Sequence, residues 1–394
     1  MDCPYRILEV NDNKTAKEFL HIPLRIYKND KNWIRPLDRD IEDVFNPEKN
    51  KEYRHGEAVR WILLDKNNKT AGRVAAFTSD ALAKQYKYPV GGMGFFECIE
   101  DREAAFMLFN QCKNWLEKKG VKAMDGPVNF GERDRWWGLL VEGFFEPCYC
   151  IPYNPPYYKD FFEAYGFRNF FNQYTYYSKI ECKGLKHQLK QRGQRLLENP
   201  NYSFDYVPKK KFRELPEMLR TVFNKAWARF PGVNPFSKAH ANALYKNMKP
   251  ILDEKLLWFG YYNGKPISFL LMIPEINQVI KHLNGKLNLF NKLRFLYYKD
   301  IRKVITRAVG ILFGVVPEHQ GKGVEAAMIL SFANLACSGK FRYKQLEMNW
   351  IGDFNPTMMK VLEQIGATIR KTHITYRYIF DPEIKFERAA RVNR

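Results

Sequence analysis

The same order of elements is written twice along this chain of 394 residues, and that repetition constrains the fold more than any single motif. In the first half, residues 5–10 read as a strand and residues 14–27 as a helix interrupted near Pro23. Residues 58–64 and 71–77 alternate about the turn-forming run 65–69, a hairpin signal. After Gly91-Gly92 come a strand to Ile99 and a long helix, 102–119, ended by Gly120. The second half repeats the order. Residues 202–207 form a strand, 215–228 and 237–248 helices, and 256–262 and 266–272 pair across Asn263-Gly264. A basic, helical excursion over 276–298 then precedes a strand at 304–316. Short echoes fall at matching places. Glu103-Ala104-Ala105-Phe106-Met107-Leu108 answers Glu325-Ala326-Ala327-Met328-Ile329-Leu330, and Asn154-Pro155 answers Asn355-Pro356, with one residue inserted before the closing glycine.

The second copy carries the chemistry. The apolar run Ile311-Leu312-Phe313-Gly314-Val315-Val316-Pro317 enters Glu318-His319-Gln320-Gly321-Lys322-Gly323, and a helical segment starts at Val324. A strand, a tight glycine loop and a helix start gather backbone N–H groups, close approach and positive partial charge at one point, which suits a pyrophosphate. Further on, residues 344–351 read as a strand and Gly352-Asp353-Phe354 as a turn. Asn355-Pro356 then opens a helix running to Ile365 and stopped by Gly366, since Asn is a favoured cap and Pro a favoured first residue.

The spacing Gln320-x-x-Gly323-x-Glu325 after a strand resembles the acetyl-CoA loop of the GNAT superfamily of N-acetyltransferases. Glu325 departs from it, standing where that loop has a small residue. The order of Gly94 to Glu97, Gly126-Pro127, Gly138 to Phe144 and Pro152 to Tyr158 further resembles bacterial tandem GNAT-like acetyltransferases. The resemblance implies an α/β fold with an α+β mixed sheet: tandem duplicated GNAT-like domains, each a mostly antiparallel mixed sheet flanked by helices. Residues 1–181 are expected to form a degenerate N-terminal domain, 182–200 a basic linker helix, and 201–394 the C-terminal domain with the CoA-type loop. Acetyl-CoA, or another acyl-CoA, is the implied co-substrate and an unidentified amine the acceptor. Val315, Val316, Gln320, Gly321, Lys322 and Gly323 would hold the cofactor, with Asn355 on the pantetheine arm. The Tyr that many members carry seven residues after that Asn is Leu362 here. Glu318 and Glu347 are the carboxylates nearest in sequence to serve as a base. In the first copy Glu100-Asp101-Arg102-Glu103 replaces the glycines, so no CoA site is expected there.

Composition narrows the partners. A formal charge of +21 suits CoA, RNA, acidic peptides or anionic headgroups. The Gln320 to Gly323 loop counts against nucleic acid as the main partner. Neither a membrane span nor a signal peptide is legible, and a cytoplasmic location is the expectation. Seven scattered cysteines suit free thiols rather than a disulfide framework, and no metal site is expected at Cys148-x-Cys150. Lys183, Lys186 and Lys190 fall on one face of the linker helix and Leu185, Leu189 and Leu196 on another. The aromatic stretches 126–131 and 152–158 are read either as cleft lining or as packing. Two alternatives stay open: a tandem transferase with another donor, aminoacyl-tRNA or a long-chain acyl group whose excursion 276–298 lies on a membrane surface, and a GNAT-fold binding module without catalysis.

Overall fold

The computed structural model describes residues 4–80, 86–131, 133–181, 185–227, 235–339 and 341–390. Their strands are β1 (Tyr5–Glu9), β2 (Gly56–Asp65), β3 (Thr70–Ser79), β4 (Val90–Cys98), β5 (Ala123–Gly126), β6 (Leu139–Glu142), β7 (Arg168–Lys179), β8 (Tyr202–Tyr206), β9 (Leu257–Tyr262), β10 (Lys265–Pro274), β11 (Arg307–Val315), β12 (Gln345–Gly352) and β13 (Thr368–Ile379). All thirteen join one mixed sheet in the order β1-β2-β3-β4-β5-β13-β7-β12-β11-β10-β9-β8, with β6 on β13.

The order is a duplication read from both edges toward the middle. From one edge, β1 to β4 pair antiparallel and β4 meets β5 in parallel; from the other, β8 to β11 pair antiparallel and β11 meets β12 in parallel. At the centre the halves exchange their last strands. β7, from the first half of the chain, lies against β12, and β13, from the second, lies against β5. The two exchanged strands pair with each other along most of their length.

Buried charge follows the same symmetry. Asp125 and Glu347 occupy the same place, third in the parallel pair of each half. Arg377 on β13 grips Asp125 through Nε at 2.6 Å and NH2 at 2.8 Å. Glu347 binds Lys371 Nζ on β13 at 2.6 Å and Arg307 on β11 at 3.1 Å. An exchanged strand supplies a cation to each carboxylate, so a register slip would strand a charge in the core.

Helices cover the sheet through apolar faces at helical spacing. Ala104, Ala105, Leu108, Phe109, Cys112 and Leu116 of Arg102–Lys118 are buried against the first half. The helix over residues 14–27 is not interrupted: it runs unbroken over Asn13–Ile26 with Pro23 inside. Proline cannot donate to the carbonyl four residues back, but Arg73 NH1 reaches the Phe19 carbonyl at 2.6 Å and supplies the missing donor. The excursion over 276–298 is broken into Asn277–Ile280 and Leu289–Leu296, with Gly285 at φ +73° between them. The linker helix spans His187–Leu197, while Lys183 lies outside the described residues.

Candidate functional site

β11 and β12 pair only from Arg307–Gln345 to Gly310–Met348. Beyond Gly310 they splay apart. Ile311 is the extra residue of a bulge, since Leu271 faces Leu312 while Met272 faces Gly310. Past the vertex the β12-facing edge of β11 has no strand beside it. Val316 N–H donates to Ile267 O on β10 at 2.9 Å, so by strand alternation Val315 turns its backbone to the open side. The splay opens into a cleft of about 3040 Å³. Phe223, Trp227, Phe313, Phe332, Met348 and Leu362 are among its apolar lining.

The loop stands at the mouth. Gly321 (φ +73°) and Gly323 (φ +90°) adopt left-handed backbone that other residues rarely take, and a side chain at Gly321 would meet nothing within 4 Å. The following helix, Val324–Ala336, has no side-chain cap, which leaves its first N–H groups to the loop side. Gln320 folds back, donating from Nε2 to Val315 O at 2.8 Å and closing the end of β11. Lys322 is exposed, and Glu318 is exposed on the turn Pro317–His319. His319 bonds Tyr202 at 2.9 Å; burial, then nearby Lys322, hold its pKa below the ordinary value.

Glu325 does not face this loop as a bare carboxylate. It pairs with Arg192 of the linker helix, which packs on the loop helix so closely that a Cβ on Gly193 would lie 2.8 Å from the Ala326 carbonyl oxygen. Asn355 lines the cleft and caps Pro356–Gln364, accepting from Met358 N at 3.2 Å. Leu362 is 2% exposed and lines the same cleft.

Glu347 lies beneath the splay, fully buried and outside the cleft lining. Beside its two close cations, Cys148 Sγ donates to it at 3.0 Å. Burial alone raises a carboxyl pKa, but Lys371 and Arg307 outweigh it and hold Glu347 below the ordinary range. A carboxylate so held is a weak base.

Other acids in the cleft were not legible in the sequence. Glu275, at the end of β10, is 1% exposed and lines the cleft. Its Oε1 accepts from Tyr149 N at 3.1 Å and Asn277 N at 2.8 Å, while Oε2 has no hydrogen-bond partner. Burial pushes its pKa up. Asp40, also lining the cleft and raised by burial, accepts from the Tyr149 hydroxyl at 2.6 Å. The sequence signal for Glu275 was an acid directly after an apolar strand. Asp40 and Tyr149 meet across 109 residues and left none.

The matching place in the first half is closed. Asp101 caps Arg102–Lys118, accepting from Ala104 N at 2.9 Å, which puts a carboxylate where an anion would sit. The strand edge beside β4 is taken by Val128, whose N–H bonds Met93 O at 2.8 Å; a Cβ on Gly94 would lie 1.9 Å from Val128 O. In the stretch 152–158, Tyr153 bonds Asp30, Tyr157 the Cys98 carbonyl, and Tyr158 Glu97, all within the first half. Of 126–131, Asn129, Phe130 and Gly131 do line the cleft.

No family model matches the chain. Among solved structures, the tandem GNAT protein from the clavulanic acid biosynthesis pathway superposes with a TM-score of 0.54 at 10% identity, over 96% of this chain and 100% of that one. The fold is that of tandem GNAT proteins. A GCN5-related glucosamine N-acetyltransferase region of a fungal β-N-acetylglucosaminidase gives a TM-score of 0.55 at 11% identity; it matches 95% of this chain, which spans 38% of that longer one. Among curated proteins, the "Bacterial ceramide synthase" of Caulobacter vibrioides is 25% identical over 376 residues, 94% of this chain and 96% of that one. These likenesses give the GNAT fold to both halves of the sheet.

Proposed function

We propose that the protein is an N-acyltransferase that moves a long acyl chain from acyl-CoA to the amine of a lipid-like acceptor. The observation that carries this reading is the open splay of β11 and β12, leading from an uncapped helix start into a broad open cleft whose lining there includes Phe223, Trp227, Phe313, Phe332 and Met348. An acetyl group would leave most of that apolar lining uncovered. The relative named a ceramide synthase makes an N-acylated lipid, consistent with an acceptor of the same class.

In this reading Gly321, Lys322 and Gly323 with the first turn of Val324–Ala336 hold the pyrophosphate, and Asn355 faces the pantetheine. Gln320 keeps the end of β11 in shape. The thioester lies past the vertex, on the open edge of β11, where the N–H of Phe313 or Val315 polarises its carbonyl. Val316, through its bond to β10, fixes the edge rather than donating. The substrate ammonium loses a proton to Glu275, whose raised pKa and unpartnered Oε2 suit a base. Glu275 stands opposite Arg307, six residues along β11 from Phe313, or roughly 20 Å, so the proton passes along a chain of waters in the cleft. The amine nitrogen then bonds the thioester carbon, the carbon–sulfur bond breaks, and the nitrogen's second proton reaches the leaving thiolate through solvent. Glu347 keeps the sheet together below the reaction, and Glu318 stays outside it.

The test is turnover of palmitoyl-CoA and acetyl-CoA with a long-chain amino alcohol and with a short one. Amide formation with the long pair, at least tenfold faster than with acetyl-CoA, is the expected result. Preference for acetyl-CoA and a short amine would return the reading to a small-molecule acetyltransferase. No binding of either thioester would leave a module without CoA chemistry.

A further inference from the structure

Among the described residues eight large hydrophobic side chains are exposed, and six lie within thirteen positions: Leu289, Phe290, Leu293, Leu296, Tyr297 and Ile301. At about 100° per residue, Leu289, Phe290, Leu293, Leu296 and Tyr297 fall within one arc of roughly 120°. The opposite side is anchored. Asn288 caps the helix, Asn291 Nδ2 donates to the Leu283 and Lys286 carbonyls at 3.2 and 3.0 Å, and Phe295 and Tyr298 pack into the core. The apolar face is therefore held outward by design of the inner one, not left over from a loose segment.

Its rim is cationic. Residues 281–303 hold Lys281, Lys286, Lys292, Arg294, Lys299, Arg302 and Lys303 against one acid, Asp300. Lys286, Lys292, Arg302 and Lys303 are exposed and have no ion-pair partner among the described residues. An apolar face rimmed by unpaired cations, on a chain of net charge +21, matches the boundary between acyl chains and anionic headgroups. No helix among the described residues is long and apolar enough to cross a membrane, so the face lies on the surface or inserts shallowly. It also adjoins the cleft, which Leu287, Lys292, Phe295, Leu296 and Lys299 help to line.

We infer that Leu289–Leu296 and the following turn, Tyr297–Ile301, dock the protein peripherally on an anionic bilayer, with the cleft mouth at the lipid surface. Docking is separate from acyl transfer, and its test needs no turnover. The full-length protein is mixed with vesicles of phosphatidylcholine alone and with vesicles containing added phosphatidylglycerol, and bound protein is measured by flotation. Binding to the anionic vesicles, weakened by salt, is expected. Phe290→Glu with Leu293→Glu should reduce it at least tenfold, and Lys286→Glu with Lys292→Glu should remove the preference for phosphatidylglycerol. Thermal melting checks that both variants fold; should the apolar pair unfold, the lysine pair carries the test alone. Equal binding by wild type and both folded variants, or none by wild type, overturns the inference. So does a wild-type dimer, seen by light scattering, that Leu293→Glu splits without vesicle binding.

Discussion

Replacing Glu347 by Gln should destabilise the protein far more than it alters chemistry at a correctly folded site. Glu347 is fully buried, and its nearest partners Lys371 and Arg307 have side chains 2% and 10% exposed. Gln removes the charge but keeps the shape, leaving two cations in the core with no counterion but the more distant acid Glu275. Breaking a buried pair from one side costs about 3–5 kcal/mol. At an unfolding entropy of about 2.1 cal/mol/K per residue, a cooperative chain of this length loses roughly 4–6 °C in Tm. Lys371→Met should cost less, because Arg307 still faces the carboxylate, and the double variant should recover part of the loss. The pH dependence has a definite sign. Folding depresses the pKa of Glu347, so its contribution is complete above the unfolded value of about 4.3 and is lost as pH falls toward the folded one. Wild type should therefore lose its margin over Glu347→Gln in acid. Calorimetric melting of the three variants at neutral pH and near pH 4 measures all of this. A Tm within 1 °C of wild type, with acyl transfer abolished, would refute the argument and make Glu347 a catalytic group.

Three further outcomes follow from the same geometry. Arg192→Ala should weaken palmitoyl-CoA binding by about fivefold, the ~1 kcal/mol of a half-exposed pair, because it uncovers Glu325 beside the loop; adding Glu325→Ala should bring calorimetric affinity back within twofold. Glu275→Gln should lower kcat by about a hundredfold and flatten the acid limb of the pH–rate profile, since the raised carboxyl gains activity as pH climbs through its pKa; an unchanged limb assigns the base elsewhere. Residues 201–394 alone should not give a stable monomer, because β12 loses β7 and β13 loses both β5 and β7; a soluble monomeric half by light scattering would contradict the strand exchange.

What could be read from the sequence divides by range. Hairpins such as β2–β3 and β9–β10 are local: turn chemistry at Asp65 to Lys69 and Asn263-Gly264 sets both ends within a few residues, and the structure puts strands there. The glycine loop and the Asn355 cap were legible for the same reason. The exchange of β7 and β13 was not, because a strand's alternation tells which face is buried but not which edge it joins. Only the buried cations record the choice. Arg377 and Lys371 look like ordinary strand residues until Asp125 and Glu347 are found facing them. The cleft acids fail by the same logic: Glu275 and Asp40 both matter through Tyr149, contacts across 126 and 109 residues that no window of sequence spans. The excursion over 276–298 shows the converse case. Its apolar and basic residues were plain, but period alone could not say whether the leucines face the core. Asn291, buried against the Leu283 and Lys286 carbonyls, fixes that rotation, and with it the face that looks out.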